Sequence, residues 1–310
     1  MPDLRGRDLL SVSDLSSEEL WGVLKLTKTV KTERNEDKWR SALSGRSLAM
    51  LFMKPSTRTR VSFDLAMSEL GGHPLTLSPA EIQMSRGETV ADTARVLSRY
   101  VSAIMARVTS HGILTELAEH ASVPVINGLS DLEHPCQAIS DVFTVWERFG
   151  NLEGVNVSYL GDGNNVANSL LLASALVGAN ITVATPEGLE PSSAAVENAK
   201  KLAADSGSTV KLSTDPVGAV RQADVIYTDV WVSMGEESMA EDKKRLLAPF
   251  QINGKVMRAA SEGALFMHCL PAHRGEEVTD DVLDGEQSIV FQQAENRLHA
   301  QKAILLSILG

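Results

Sequence analysis

Cysteine is scarce, with only Cys136 and Cys269 in 310 residues. Two thiols cannot build a disulfide framework, and no Cys or His spacing resembles a zinc site, so a reducing cytoplasm fits best. A basic excess is also missing: the net charge is −11, whereas a nucleic-acid surface calls for a concentrated basic face. No stretch approaches the roughly 20 apolar residues that span a bilayer. The opening MPDLRGRDLLSVSDLS lacks the basic-then-apolar build of a secretory signal. Acidity does not exclude a small anionic ligand, because a few arginines in a cleft set the local field.

What is present is globular: 43% hydrophobic and 22% charged residues, in a chain long enough for two cores. Ser16 and Glu19 have capping-box spacing ahead of a first helix. Short apolar runs then alternate with helix-length segments. Strands are expected at Ser47–Met53, Ala103–Ala106, Val123–Ile126, Val155–Leu160, Ile181–Ala184, Val225–Thr228 and Leu265–His268. Helices are expected at Thr57–Leu70, Val90–Val101, after His111, from Pro135, at Val166–Leu176 and at about 294–309. This alternation predicts an α/β fold of two doubly wound parallel-sheet domains, residues 1–148 and 149–310. The last helix is expected to return to the first domain.

In MKPSTRTRVSF, Ser56 reads as an N-cap with Thr57, Arg58 and Thr59 in the first helical turn. Free N–H groups and positive potential there favour anions. Arg58 and Arg60 oppose the helix dipole, a conflict relieved if a multiply charged anion occupies the turn. Hydroxyls and a planar guanidinium suit phosphate oxygens. The plain alternative is an N-cap with solvated arginines.

Ligands of open parallel sheets bind beyond the carboxyl ends of the strands. Arg107 falls there, as do His134 and Gln137 in EHPCQ and Cys269 and Leu270 in FMHCLP. Each has an ordinary alternative. With Pro135 at the first helical position, His134 and Gln137 have capping-box spacing. Arg107 could serve a surface ion pair, and Cys269 could be an inert buried thiol. His73, His111 and His120 read as surface or packing residues. No helical His pair suggests a metal. The turn Gly161-Asp162-Gly163 resembles a dinucleotide fingerprint only in part, since its third glycine would fall at Val166. Asn164 and Asn165 in the following turn suit the carboxylate and amine of a small amino acid better than a pyrophosphate.

Together these segments resemble the carbamoyltransferase family over essentially the whole chain. STRTR at Ser56–Arg60, GETVADTARVLSRY at Gly87–Tyr100, ARV around Arg107, HPCQ at His134–Gln137 and HCLP at His268–Pro271 stand in the family's order. DVWVSMGEE, with Asp229, Ser233, Met234 and Gly235, and the cysteine of HCLP are similar to the ornithine branch. The aspartate branch lacks both features. The acetylornithine and putrescine branches lack Ser-Met-Gly in that setting. Arg86 stands in a loop that often carries lysine in related enzymes.

The resemblance implies transfer of the carbamoyl group of carbamoyl phosphate to ornithine in arginine synthesis, with no metal or organic cofactor. It places Ser56, Thr57, Arg58 and Thr59 at the phosphate, and Arg107 and His134 at the carbonyl oxygen. Gln137 and the backbone carbonyls of Cys269 and Leu270 would hold the carbamoyl NH2, with Arg297 completing the pocket. Gln83 would reach a neighbouring subunit's site, which implies a homotrimer. Asn165, Asp229, Ser233 and Met234 would hold ornithine's α-groups. Asp229 and Cys269 would orient its δ-amine, with Cys269 or the leaving phosphate taking the proton. The Ser-Met-Gly loop would close over ornithine. Other readings are a catabolic role, a related carbamoyl acceptor, or a non-catalytic metabolite-binding protein. Arg58, Arg107, His134 and Cys269 occurring together count against the last, and Val166 counts against a nicotinamide oxidoreductase.

Overall fold

Helix α1 (Ser17–Thr32) begins where its sequence demands. Ser16 Oγ accepts from Glu19 N at 3.2 Å, and Glu19 Oε2 accepts from Ser16 N at 2.8 Å, so two otherwise orphaned N–H groups are satisfied. The computed structural model describes residues 2–78, 80–233 and 237–310. The chain divides into two units, Met1–Phe143 with Asn296–Gly310, and Thr144–Glu295.

In the first unit α1 is followed by β1 (Ser47–Phe52), α2 (Thr57–Glu69), β2 (His73–Leu77) and α3 (Val90–Leu97). Then come β3 (Ala103–Arg107), α4 (His111–His120), β4 (Val125–Leu129) and α5 (Pro135–Phe149). The four strands are all parallel, in the order β2-β1-β3-β4. β3 is buried along its whole length and β1 from Leu48 onward, as expected where both faces of a parallel sheet are covered. Gly71 ends α2 at φ +81°, and a Cβ there would lie 2.2 Å from the Arg40 carbonyl oxygen, so glycine is required twice over. β4 begins two residues later than the sequence suggests. Pro124 has no N–H to give the ladder, and its carbonyl accepts from Ile104 N instead. α3 closes at Leu97 rather than continuing to Val101, with Ser98 Oγ donating back to the Ala94 carbonyl at 2.7 Å.

The second unit runs β5 (Asn156–Leu160), α6 (Asn165–Val177), β6 (Asn180–Ala184), α7 (Ser193–Ser206) and β7 (Val210–Ser213). It continues through α8 (Pro216–Val220), β8 (Val225–Thr228), α9 (Ala240–Leu247), α10 (Gly254–Ala259), β9 (Leu265–His268) and α11 (Asp280–Leu283). The five parallel strands lie in the order β7-β6-β5-β8-β9. Strand order reverses at β5, so the loops after β5 and β8 diverge there, the usual place for a ligand crevice. Both units are thus doubly wound parallel sheets.

The last helix, α12 (Val290–Leu309), starts four residues before the expected Ala294. Val290 packs into the second unit's core with Phe266 and Val278, which gives the added turn an apolar anchor. From Asn296 onward α12 belongs to the first unit. There Asn296 Oδ1 accepts from Lys31 Nζ at 2.7 Å, Lys302 pairs with Glu69, and the Ser307 carbonyl accepts from Leu4 N at 3.1 Å.

Candidate active site

The nominated residues form two groups, one in each unit. In the first unit Ser56 is the N-cap of α2, its hydroxyl accepting from Thr59 N at 3.3 Å. Thr57 is exposed, Arg58 half-buried and Thr59 buried. Register pairs Phe52 with Arg107, so the segment entering α2 leaves the sheet beside Arg107, a buried residue at a ladder irregularity between β3 and β4. Arg297 Nη2 donates to Thr59 Oγ1 at 2.8 Å, linking residues 238 apart in sequence.

His134 opens α5, only 5% exposed. Burial, then the charges of Arg297 and Arg107, push its imidazolium well below the usual histidine range. It is therefore neutral at pH 7 and keeps one N–H to donate without adding charge. The loop before it is fixed from both sides. Glu133 accepts from Ser11 Oγ at 2.6 Å and Val12 N at 3.1 Å, while Ser130 Oγ accepts from Glu133 N at 3.1 Å and meets His111 Nδ1 at 2.9 Å. The capping-box alternative for His134 and Gln137 does not hold. Gln137 Oε1, which a capping box would use to accept from the His134 N–H, has no partner among the described residues, and Gln137 Nε2 donates forward to Asp141 Oδ1 at 2.8 Å. Burial pushes the neighbouring Cys136 thiol up to about 12, which leaves it an inert packing residue. Gln83 lies exposed in a short 3-10 turn, Gln83–Arg86, and none of its side-chain hydrogen bonds reaches Arg58, Arg107 or His134 among the described residues.

The second group sits at the carboxyl ends of β5, β8 and β9. Asp229 follows β8 and Cys269 follows β9, and Cys269 Sγ donates to Asp229 Oδ1 at 2.9 Å. Asp229 Oδ2 accepts from Asn164 Nδ2 at 2.8 Å. Asn164 is also the N-cap of α6, its Oδ1 accepting from Val166 N at 2.9 Å and Ala167 N at 3.2 Å. The sequence nominated Asn165; the structure puts its neighbour on Asp229 and leaves Asn165 half-buried at the next position. Ser233 is half-buried, and Met234 lies outside the described residues. Gly161 takes φ +141°, and a Cβ on Gly163 would come within 2.3 Å of the Glu190 backbone, so the tight turn needs both glycines.

Several supporting residues escaped the sequence reading. His268 is fully buried, its Nδ1 accepting from Leu270 N at 2.9 Å while its Nε2 faces Glu277 Oε1 at 3.2 Å. That contact holds Leu270 at φ +60°, a conformation strained for a branched side chain. Gln293 spans two strands, accepting from His268 N at 2.9 Å and donating to Tyr227 Oη at 3.0 Å. Asp162 forms a buried ion pair with Lys243 at 2.8 Å. Burial, then Asp229, Asp162, Cys269 and Glu277, push the Tyr159 phenol well above its ordinary range, so it stays a neutral donor to the Asp162 carbonyl. Asp229, His268 and Cys269 bring ligand-type atoms within 4.8 Å of one another, as do His273, Glu276 and Glu277. In the first cluster both His268 ring nitrogens and the Cys269 S–H already engage protein partners.

The model of the carbamoyl-P binding domain of aspartate/ornithine carbamoyltransferases matches residues 7–147, and that of the Asp/Orn binding domain matches residues 153–308. The chain belongs to the aspartate/ornithine carbamoyltransferase family. Anabolic ornithine carbamoyltransferase of Pyrococcus furiosus is 56% identical over 307 residues, 99% of this chain and 98% of that one. Ornithine carbamoyltransferase of Pyrococcus abyssi is also 56% identical, over 99% and 97% of the two chains. The solved Pyrococcus furiosus enzyme superposes with a TM-score of 0.96 at 55% identity, covering 100% of this chain and 99% of that one. The Thermus thermophilus ornithine carbamoyltransferase gives 0.88 at 42% identity, covering 98% and 99%. The match to the Asp/Orn domain model extends to residue 308 of this chain. The structure groups Arg297 with Thr59 instead.

Proposed function

We propose that this chain transfers the carbamoyl group of carbamoyl phosphate to the δ-amine of L-ornithine, giving L-citrulline and phosphate in arginine biosynthesis. The observation that carries the reading is the gathering of cations in the first unit, where a neutral His134 stands near Arg107 and Arg297, and Arg297 reaches Thr59 in the opening turn of α2. Such a group suits a donor that ends in a dianion and a carbonyl needing polarisation. Ser56, Thr57, Arg58 and Thr59 take the phosphate, and Arg107 and His134 take the carbonyl oxygen as charge develops on it. Gln137 accepts from the carbamoyl NH2.

In the second unit Asn165, Asp229, Ser233 and Met234 hold ornithine. The Cys269–Asp229 pair orients the δ-amine, which must lose a proton before it attacks. The amine nitrogen bonds to the carbonyl carbon, the carbon–oxygen bond to phosphate breaks, and the amine's proton passes either to the departing phosphate or to the Cys269 sulfur as the thiol hands its own proton to Asp229. The donor arrives activated, so catalysis rests on positioning and charge stabilisation.

The proposal includes a cytoplasmic homotrimer in which Gln83 serves a neighbouring subunit. The exposure of Gln83 supports that role, and no helix among the described residues is long and apolar enough to cross a membrane. The test is citrulline formation from carbamoyl phosphate and ornithine, run beside aspartate, acetylornithine and putrescine. Turnover with any of these but not with ornithine overturns the substrate assignment.

A further inference from the structure

One helical turn beyond Gln137, α5 carries a second buried polar residue, Asp141. The two side chains are 1% and 0% exposed, at i and i+4 on one helix face. Gln137 Nε2 donates to Asp141 Oδ1 at 2.8 Å. Gln137 Oε1 is buried too and accepts from no described group. The two ends of a glutamine amide have nearly the same shape, so packing alone does not choose between them. A carboxylate does choose, because it can only accept and tolerates only the NH2 end. The reversed amide would set one oxygen against another in a buried site. Asp141 therefore dictates that Gln137 presents its carbonyl oxygen to whatever binds beside it. A buried acceptor left unmatched is costly, so the arrangement selects a ligand that brings an N–H donor.

We propose that Asp141 is a positioning residue that locks the Gln137 amide with its oxygen toward the donor's NH2, making the site selective for carbamoyl phosphate over acyl phosphates. The inference rests on the function proposed above, in which Gln137 meets the carbamoyl group. An acetyl group has the same shape with a methyl in place of the NH2. It would leave Gln137 Oε1 unsatisfied, and rejection of this kind is far stronger than a size difference alone provides.

The test uses two stable analogues, phosphonoacetamide, which keeps the NH2, and acetonylphosphonate, which has a methyl there. Calorimetric titration of the full chain is expected to give a preference of roughly 10-fold or more for the amide. In Asp141→Asn the new amide can donate to Gln137 Oε1, so the Gln137 side chain can turn over. The preference should then collapse to within about 3-fold while affinity for inorganic phosphate is unchanged. A merely structural role would weaken all three ligands alike. Equal losses, or an intact preference in the variant, overturn the proposal. If circular dichroism shows Asp141→Asn to be unfolded, Asp141→Ser gives the same reading, and Gln137→Met should abolish the preference. Citrulline formation by the parent chain separates the two levels. Activity with an intact preference in Asp141→Asn sinks only the role of Asp141, whereas a parent chain that binds neither analogue sinks the function as well.

Discussion

The two units use one architecture for opposite electrostatics. Each is a doubly wound parallel sheet with its candidate residues at strand carboxyl ends. The first unit gathers guanidiniums, with Arg107 and Arg297 buried and Arg58 half-buried in the opening turn of α2. The second gathers carboxylates: Asp162, Asp229 and Glu277 are all buried, with Lys243 paired to Asp162. The sheet supplies position and the loop residues supply sign. A phosphate-bearing donor suits the first set, and an amino acid with two amines suits the second.

Charge removal from either group should break this contrast. Arg58→Ala is expected to have the largest effect, lowering kcat/KM for carbamoyl phosphate by about 10³-fold, the scale for losing one charge-stabilising donor. Its thermal unfolding midpoint should stay within a degree or two of the parent (roughly, for a surface-accessible change). Steady-state kinetics beside a melting curve checks both. Asp229→Asn comes next, with a loss of about 10²-fold for ornithine. Equilibrium binding of inorganic phosphate should be unaffected, and a matching drop in phosphate binding would contradict the division of labour. Ser233→Ala should raise the KM for ornithine by about 10-fold and leave that for carbamoyl phosphate alone.

The smallest effect sharpens the contrast through pH. His134 is held neutral in the folded chain, while an unfolded histidine titrates near 6.5. Below that pH the unfolded state binds a proton the folded state refuses, so stability falls as pH drops and is unaffected above it. Going from pH 7 to pH 5, this group should therefore lower the stability of the folded chain. Urea unfolding of His134→Asn at the two pH values should show a correspondingly smaller decline than the parent.

Much of this was legible in the sequence. Val225–Thr228 and Leu265–His268 are strands with the expected bounds, since continuous apolar runs between polar turns leave little choice. The cap at Ser16 was equally plain. β2 and β7 were not, and both lie at sheet edges, where HPLTL and VKLS carry exposed residues and no continuous apolar run. The nominated residues themselves were readable as motifs. Their supports were not, because each depends on a partner that sequence spacing does not reveal. Asp162 meets Lys243 across 81 residues. Glu277 reaches His268 from an irregular loop. That Asn164 meets Asp229 depends on its capping α6, which spacing alone does not reveal.

The bond from Arg297 to Thr59 also dictates an order of events during synthesis. A ribosome emits the turn holding Ser56–Thr59 early, yet the guanidinium that reaches Thr59 is translated 238 residues later. The second unit's strands leave the tunnel in between. The first sheet can pair its strands on schedule, but the turn at Ser56–Thr59 waits for α12 to be made. The nascent chain therefore makes every strand of its second sheet before Thr59 meets its last partner.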